Sequence, residues 1–403
     1  MAKSLRDSRI LLGVTGSVAA YKAIELIKGL KEQGASVRVV MTDASKNFVT
    51  PLSLQLASGE KVYGDLFGEP MSHISLPKDA DIMVIAPATA SIAAKAANGM
   101  ADDLLSACLL SFRGRVVIAP AMNWRMYESP AFQRNLKRLI EDGAALVPPD
   151  KGLLACGEEG VGRMAAIGKI IEAIKSAVSP KDLLGEKILV TAGPTREYID
   201  PVRFISNAST GKMGYAIARA AKRRGAEVTL ISGPSAIEPP AGVGFIPVVT
   251  AIQMRDAVLG HLPGATVIVM AAAVGDFAPE AMGKRKLDKA AVSSIKLKKT
   301  PDILSELGAM KKRPLLIGFA AEFGEGRRGD GLKRARRKLI EKGADIIVFN
   351  DVSRKDSGFG ADTNKVVMLL KGRGNDLPLM SKDEVAEAVL EEIHALRAKR
   401  KRF

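Results

Sequence analysis

The chain has 403 residues, more than a single hydrophobic core usually supports, so we expect two domains. Hydrophobic residues make up 47% of it, which excludes a globally disordered protein, and no apolar run reaches the length of a membrane-spanning helix. The formal net charge is +16, and only 4% of residues are aromatic. The excess of positive charge fits a protein with anionic small-molecule substrates or with a solvated basic surface. It counts against nucleic-acid binding, because aromatic stacking platforms and the common reading motifs are lacking.

The cysteine content indicates the compartment. Cys108 and Cys156 are the two cysteines, too few for a disulfide framework. The N-terminal segment also lacks the apolar stretch of a secretory signal. We therefore predict a cytoplasmic protein with no membrane partner.

Four short apolar segments in the first half alternate with helical stretches, which predicts a parallel sheet with helices on both faces. The predicted strands are Arg9–Val14, Ser36–Met41, Ala80–Ala86 and Arg115–Ala119. Ligands of such sheets collect at the carboxyl ends of the strands. There, Gly16 allows close backbone approach, and Ser17 with the following helix N-terminus offers hydrogen-bond donors to a phosphate.

A glycine-rich segment follows these strands, at residues Lys151–Met164, with Cys156 at its centre. It spans more than ten residues beside the predicted ligand cleft, so we interpret it as a mobile lid. Residues Ser179–Leu184 then have the composition of a linker between domains.

The second half begins with Ile188–Gly214, which runs from a buried strand through a polar loop into a helix. Phosphate-binding α/β domains often begin in this way. Strand and helix patterns then alternate again, which predicts a second parallel sheet of the dinucleotide-binding type. Its predicted strands are Lys187–Thr191, Glu227–Ile231, Thr266–Ala271, Pro314–Gly318 and Asp345–Phe349.

Two basic groups lie in this half. The run Pro279–Thr300 is either a solvated hairpin or a phosphate clamp over a nucleotide, since it directly follows the strand end at Asp276. Lys338 and Lys342 are four residues apart on a predicted helix and therefore share a face.

Specific sequence blocks carry a resemblance that covers nearly the whole chain. The first half resembles the homo-oligomeric flavin-containing cysteine decarboxylases, in the blocks Gly13–Lys22, Met41–Pro51, Ser72–Ile74, Ala86–Ala90, Pro120–Asn123 and Ala155–Met164. The second half is similar to the phosphopantothenate–cysteine ligases, in the blocks Thr191–Gly214, Ala271–Phe277, Thr300–Leu304, Gly318–Glu322 and Lys338–Val352. In this order, the two halves resemble the bifunctional enzymes of coenzyme A biosynthesis.

This resemblance implies an α/β protein with two doubly wound, Rossmann-like domains. The first is a flavodoxin-like flavoprotein domain at residues 1–184, and the second is a dinucleotide-binding-like ligase domain at residues 185–403. It also implies a homo-oligomer, a dodecamer built from trimeric decarboxylase contacts and dimeric ligase contacts.

For the first domain, the resemblance implies FMN-dependent decarboxylation of 4'-phosphopantothenoylcysteine to 4'-phosphopantetheine. Loss of CO₂ leaves a carbanion, so the reaction needs an electron sink, which FMN supplies. By motif, His73 assists oxidation of the cysteinyl group, Asn123 holds the substrate carboxylate and Cys156 protonates the enethiol. The residues implied to contact FMN are Gly16, Ser17, Thr42, Pro87, Thr89 and Ser106. One departure is Glu158, where the family's lid commonly has aspartate.

For the second domain, the resemblance implies CTP-dependent ligation of 4'-phosphopantothenate with cysteine through an acyl-cytidylate. Mg²⁺ and lysines would neutralise the triphosphate, with Asp276 as the candidate metal ligand, and Asn207 would act on the acyl-cytidylate step. The key lysine of the family's mobile motif matches Lys286, with Lys284 and Lys289 as alternatives. The residues implied to contact CTP are Gly193, Thr195, Ala273, Asp276, Lys286, Pro301, Asp302, Ile303, Leu304, Phe319, Lys338 and Lys342.

Two other functions are weighed against this one. A two-domain NAD(P)-dependent oxidoreductase needs the pattern G-x-G-x-x-G after its first strand, and this sequence lacks it. A non-enzymatic, flavin-binding regulatory protein is disfavoured because His73, Asn123 and Cys156 are all present. The sequence leaves the choice between CTP and ATP open.

Overall fold

The computed structural model describes residues 5–288, 294–322, 330–351, 358 and 360–400, and Lys289 lies outside them. The chain forms two compact units, residues 2–180 and 181–403. The predicted boundary after Leu184 lies four residues later than this division. Leu183 is fully buried in a core cluster of the second unit, so the segment predicted as a linker already packs with that unit.

The first unit contains a six-stranded, all-parallel sheet. Its strands are β1 (Arg9–Val14), β2 (Ser36–Met41), β3 (Val62–Tyr63), β4 (Ile82–Ala88), β5 (Arg115–Pro120) and β6 (Ala145–Leu146). Their spatial order is β3-β2-β1-β4-β5-β6. When the two-residue edge strand β3 is set aside, the order is that of flavodoxin-like sheets, as predicted.

Helices cover both faces of this sheet. They are α1 (Ala23–Glu32), α2 (Pro51–Ser58), α3 (Ser72–Lys78), α4 (Ala90–Asn98), α5 (Leu104–Ser111), α6 (Trp124–Tyr127), α7 (Pro130–Glu141) and α8 (Ile167–Val178), with 3₁₀ helices at Val18–Lys22 and Asp43–Asn47. Leu12 packs in the core with α1 and α8, whereas its neighbour Leu11 packs with α4, α5 and α7. Successive strand residues point to opposite faces, so β1 contributes to two hydrophobic layers.

The predicted lid is a β-hairpin. Its strands are β7 (Asp150–Leu153) and β8 (Glu159–Arg163), paired antiparallel with a bulge after Asp150. The hairpin is anchored at its base, where Asp150 Oδ2 accepts from Ala166 N at 3.0 Å and Oδ1 accepts from Lys169 Nζ at 2.6 Å. Cys156 lies in the turn at its tip.

Over its described residues, the second unit has a larger main sheet and three two-stranded ribbons. The strands of this unit are β9 (Lys187–Ala192), β10 (Arg196–Tyr198), β11 (Phe204–Ser206), β12 (Glu227–Ser232), β13 (Gly244–Pro247), β14 (Val267–Met270), β15 (Phe277–Pro279), β16 (Leu297–Lys299), β17 (Leu315–Glu322), β18 (Ile346–Asp351), β19 (Thr363–Asn364), β20 (Val366–Leu370), β21 (Arg373–Asp376) and β22 (Met380–Ser381). The main sheet runs β13-β12-β9-β14-β17-β18-β20-β21, and its first six strands are parallel. Those six follow the order of dinucleotide-binding folds, as predicted.

The helices of the second unit are α9 (Lys212–Arg223), α10 (Ala251–Gly260), α11 (Ile303–Gly308), α12 (Asp330–Glu341) and α13 (Lys382–Arg400). Helix α9 and the start of α13 pack against one face of the sheet, where Ile217 and Val389 are fully buried. The two ends of the basic run come together in a two-stranded antiparallel ribbon, since β15 pairs with β16. None of the helices described here is long and apolar enough to cross a bilayer.

Gly233 lies where the loops after β9 and β12 touch. A Cβ atom there would lie 1.8 Å from the carbonyl oxygen of Pro194. We expect Gly233→Ala to lower the free energy of unfolding of the second unit by about 2–3 kcal/mol, because the backbone must move apart. Gly260→Ala is the matched control, since a Cβ there meets nothing within 4 Å.

Circular dichroism during urea unfolding of the full chain measures this effect. Trp124, the single tryptophan, lies in the first unit, so its fluorescence follows that unit separately. An unchanged circular dichroism transition in Gly233→Ala would contradict the close approach.

Candidate functional sites

Thr15 ties together two strand ends in the first unit. Its buried hydroxyl donates to Pro87 O at 2.7 Å and accepts from Thr89 N at 3.0 Å. A Cβ on Gly16 would lie 2.5 Å from Ala44 Cβ, so the loops after β1 and β2 are in contact. The structure therefore brings the predicted flavin-contacting residues Gly16, Pro87 and Thr89 to one edge of the sheet. Thr15 itself was missed, because one strand-end threonine gives no distinctive signal.

The polar groups at this edge fit a flavin. The Thr42 hydroxyl is buried and, within the described part of the chain, has no hydrogen-bond partner, so a bound group can satisfy it. Ser17 Oγ accepts from Ala19 N at 3.3 Å, which leaves its proton to donate. Ser106 differs, because its hydroxyl already bonds to Asp103 in the capping box of α5.

Asn123 and Cys156 are brought together, although they are 33 residues apart. Asn123 Oδ1 accepts from Arg125 N at 2.8 Å, which orients the amide so that Nδ2 donates to Cys156 Sγ at 3.2 Å. The thiol in turn donates towards Glu158 Oε2 at 3.8 Å. Cys156 is exposed, whereas Cys108 is buried and its pKa is raised by burial to about 12. Of the two cysteines, Cys156 is therefore the accessible thiol. It lies beside the Asn123 amide, which is able to hold a carboxylate.

His73 lies elsewhere in the unit. It is the second residue of α3, and its carbonyl oxygen accepts from Ser111 Oγ at 2.6 Å on α5. Within the ranges that the structure describes, no hydrogen bond or ion pair joins His73 to Asn123 or Cys156. The single chain therefore does not bring together the three residues predicted to catalyse decarboxylation.

In the second unit, a cavity of about 720 Å³ opens at the carboxyl ends of β14, β17 and β18 and beside the start of α9. The carboxyl ends of the strands are the usual ligand position in such sheets. Ten predicted residues line it, namely Asn207, Ala273, Asp276, Pro301, Asp302, Ile303, Leu304, Phe319, Lys338 and Lys342. Gly193 and Thr195 instead support its wall: Gly193 O accepts from Ala273 N at 2.9 Å, and Thr195 Oγ1 accepts from Gly275 N at 2.9 Å.

Asn207 is held at the wall of this cavity. Its Nδ2 donates to the carbonyl oxygens of Ala273 and Val274, both at 3.1 Å. Thr300 Oγ1 donates to Gly275 O at 2.5 Å and closes the same loop from the other side. These bonds fix the loop that precedes Asp276, so its backbone groups form a rigid rim.

Cationic side chains line the cavity in two groups. In one, Lys342 pairs with Asp302; burial alone would raise the pKa of Asp302, but Lys342 and the Ser305 amide lower it. In the other, Lys212 Nζ pairs with Asp362 Oδ1 at 2.6 Å, close to Lys382. Burial and the charge of Lys212 lower the pKa of Lys382. Lys382 was not predicted, because it follows strands that no sequence pattern had indicated.

Lys286 is exposed and does not line the cavity, and neither does Lys284. The loop that carries them is anchored one residue further on. Leu287 N donates to Asp200 Oδ2 at 3.2 Å, and Leu287 O accepts from Arg203 at 2.8 Å. Buried Asp200 and its partly exposed partner Arg203 thus tether the basic loop near the predicted key lysine.

Asp200 gives the second unit a pH dependence. Burial alone would raise its pKa, but hydrogen bonds from Arg203 and from the amides of Val202 and Leu287 lower it well below the usual range. The stabilisation is therefore fully present above about pH 4, the ordinary aspartate value, and is lost as pH falls through the folded-state pKa. We expect Asp200→Asn to unfold at a lower urea concentration than the native chain at pH 7. The difference between the two urea midpoints should narrow below about pH 4.

Urea midpoints at pH 7 and pH 3.5 test this expectation. Glu238→Gln is the control, since Glu238 is an exposed carboxylate of the same unit. A gap that stays constant or widens in acid would show that the charge of Asp200 does not stabilise the fold.

Asp276 is exposed at the mouth of the cavity. In the described ranges, no three or more His, Cys, Asp or Glu side chains are grouped to hold a metal ion. A metal at this position would therefore depend on oxygen atoms of the substrate for most of its ligands.

Comparison with known proteins agrees with this two-part organisation. Residues 1–179 match the family described as Flavoprotein, and residues 183–396 match the family described as DNA/pantothenate metabolism flavoprotein C-terminal domain. The chain is 45% identical over 402 residues to the Coenzyme A biosynthesis bifunctional protein CoaBC of Bacillus subtilis (strain 168), covering 97% of this chain and 98% of the relative. Identity to the CoaBC of Escherichia coli (strain K12) is 42% over 400 residues, covering 97% of each. The chain therefore belongs to the family of bifunctional coenzyme A biosynthesis proteins.

Proposed function

We propose that this chain catalyses two consecutive reactions of coenzyme A biosynthesis. The second unit joins 4'-phosphopantothenate to cysteine, and the first unit decarboxylates the product to 4'-phosphopantetheine. The full-length similarity to bifunctional relatives supports both activities. The observation that carries the assignment is the presence of two separate strand-end sites in one chain, a thiol–amide pair in one unit and a basic cavity in the other.

In the decarboxylase unit, the edge formed by Gly16, Thr42, Pro87 and Thr89 would hold FMN. Bound FMN would take two electrons from the cysteinyl thiol, which makes loss of CO₂ feasible, and would return them to the enethiol, so that the overall reaction has no net change of oxidation state. Asn123 binds the substrate carboxylate through Nδ2, since its Oδ1 is already engaged with a backbone amide. Cys156 then delivers its thiol proton to the enethiol carbon, from a position beside that carboxylate.

In the ligase unit, the cavity holds CTP. Lys338 and Lys342 attract the triphosphate, and Asp276 would help to hold Mg²⁺, which would neutralise part of the triphosphate charge. The carboxylate of 4'-phosphopantothenate attacks the α-phosphorus and displaces pyrophosphate. The amine of cysteine next attacks the acyl carbon, so that the amide bond forms and CMP leaves. Asn207 supports this second step from the rim, and Lys286 reaches the site by movement of its exposed loop.

A homo-oligomer is part of the proposal. No hydrogen bond or ion pair joins His73 to Asn123 or Cys156 within the described chain, and a neighbouring copy would supply this histidine to complete the site. Trimeric decarboxylase contacts and dimeric ligase contacts together give a dodecamer. Light scattering on the purified protein tests this assembly, and a monomer that is fully active in decarboxylation would overturn it.

The decisive experiment is a coupled assay with 4'-phosphopantothenate, cysteine, CTP and Mg²⁺. We expect pyrophosphate, CMP, CO₂ and 4'-phosphopantetheine, together with the visible absorbance of a flavin in the purified protein. ATP replaces CTP in a parallel reaction, because the sequence leaves the base preference open. Absence of both pyrophosphate and flavin would overturn the proposed function.

A further inference from the structure

The carboxylate of Glu158 binds two residues of α6 at the tip of the hairpin. Oε2 accepts from Trp124 Nε1 at 2.9 Å, and Oε1 accepts from the Arg125 guanidinium at 2.7 Å. The Arg125 guanidinium also lies 5.4 Å from the centroid of the Trp124 ring. Trp124, Arg125 and Glu158 therefore form one connected group, which we call the tip cluster.

The hairpin backbone is shaped for this contact. A Cβ on Gly160 would lie 2.6 Å from Trp124 Cβ, and a Cβ on Gly162 would lie 2.1 Å from Met122 O. The amide of Met122 donates to Gly162 O at 3.0 Å. Only glycine allows β8 to approach α6 this closely, so the closed position of the hairpin is built into its backbone.

The same carboxylate also contacts the reactive thiol. Glu158 Oε2, which accepts from Trp124, lies 3.8 Å from Cys156 Sγ, while Asn123 Nδ2 donates to that sulfur from the other side. Hydrogen bonding by Trp124 and the charge of Arg125 lower the pKa of Glu158, so the group is ionised at neutral pH. The thiol thus contacts Asn123, which caps α6, and is linked to α6 itself through Glu158.

We propose that Glu158 is a positioning residue for decarboxylation, which places Cys156 beside Asn123 by docking the hairpin tip on Trp124 and Arg125. The tip cluster is then the contact that opens when substrate enters and product leaves. This inference rests on the proposed decarboxylase activity.

The strength of the contact suits this role. The side chains of Arg125 and Glu158 are 67% and 39% exposed, and ion pairs this exposed contribute little to stability. The hydrogen bond from the half-buried Trp124 indole fixes the orientation of the Glu158 carboxylate, because an N–H group must point at one oxygen atom. The cluster can therefore define one closed position and still open at each turnover.

The test uses the single tryptophan as a reporter in the purified, flavin-containing protein. We expect Glu158→Ala to red-shift Trp124 emission and raise acrylamide quenching about twofold. The kcat for decarboxylation of 4'-phosphopantothenoylcysteine should fall about tenfold, more than KM changes, because the thiol is no longer held in place. Glu158→Gln keeps an acceptor for the indole and loses the ion pair, so its effects should be intermediate.

Glu159→Ala is the matched control, since Glu159 is the next residue and its side chain is exposed. It should change neither fluorescence nor kcat, and flavin absorbance should be equal in all variants. Equal quenching in Glu158→Ala and Glu159→Ala would overturn the inference, as would a fall in kcat without any change in quenching. If the native protein lacked flavin and decarboxylase activity, the proposed function would fail, while the quenching comparison would still report whether Glu158 docks the tip.

Discussion

Cys156→Ser should abolish formation of 4'-phosphopantetheine while leaving ligation intact. A serine hydroxyl is a far weaker acid than a thiol, so the proton needed by the enethiol carbon is no longer supplied. General acid catalysis contributes about 10²- to 10⁴-fold, and we expect a loss of kcat in that range. Formation of 4'-phosphopantetheine, measured with 4'-phosphopantothenoylcysteine as substrate, gives the size of the effect.

Pyrophosphate release from CTP is the internal control in the same protein. It should match the native rate, because Cys156 lies in the first unit and the cavity lies in the second. Cys108→Ser is the matched variant, since it removes the buried thiol and leaves Asn123 and Cys156 in contact. Equal loss of both reactions in Cys156→Ser would contradict the assignment of the two activities to separate units.

Asn207→Ala should have the reciprocal effect. It removes the two hydrogen bonds that hold the carbonyl groups of Ala273 and Val274, so the rim of the cavity is no longer fixed. Misplacement of the groups that position a reacting centre can cost about 10²-fold in kcat, which we expect here for ligation. The assay is formation of 4'-phosphopantothenoylcysteine from 4'-phosphopantothenate and cysteine.

Two controls separate chemistry from folding. Asn375→Ala removes an exposed asparagine from the edge strand β21 of the same unit and should ligate normally. Decarboxylation of added 4'-phosphopantothenoylcysteine should be unchanged in Asn207→Ala. A native rate of ligation in this variant would remove Asn207 from the mechanism.

The parallel strands were predictable because each is a short, buried apolar run between helices. Lys187–Ala192 and Ile346–Asp351, for example, lie within two residues of their predicted bounds. The pair β20 and β21 was not predicted. They are antiparallel neighbours joined by a tight turn at Gly372, so no helix separates them and the alternation of strand and helix stops there.

The candidate sites were predictable where a strand end supplies the residue. Asn123 lies three residues after β5, and its contact with Cys156 brings together two residues that were predicted to act in one reaction. Glu158 stood out in the sequence only because its side chain is longer than the aspartate common in the family. Its contact with Trp124 was not predicted, because no motif marks that tryptophan. Lys286 remains a prediction, since its loop stands outside the cavity in the described conformation.

The NAD(P)-dependent oxidoreductase and the regulatory protein are set aside by the family to which the chain belongs. The second unit does have the strand order of a dinucleotide-binding fold. Its first strand nevertheless leads into Gly193, Pro194 and Thr195, which pack against the loop at Ala273. Fold alone thus misleads here, and the residues at the strand ends decide the chemistry.

The two units have separate hydrophobic cores, and this separation has a genetic consequence. A defect in one half need not damage the other, so a chain lacking decarboxylation and a chain lacking ligation each keep one working half. Mixed in one cell, two such alleles should complement each other in trans, because the intermediate is a small molecule that can leave one chain and reach another. An inactivating substitution in either half is therefore expected to be recessive.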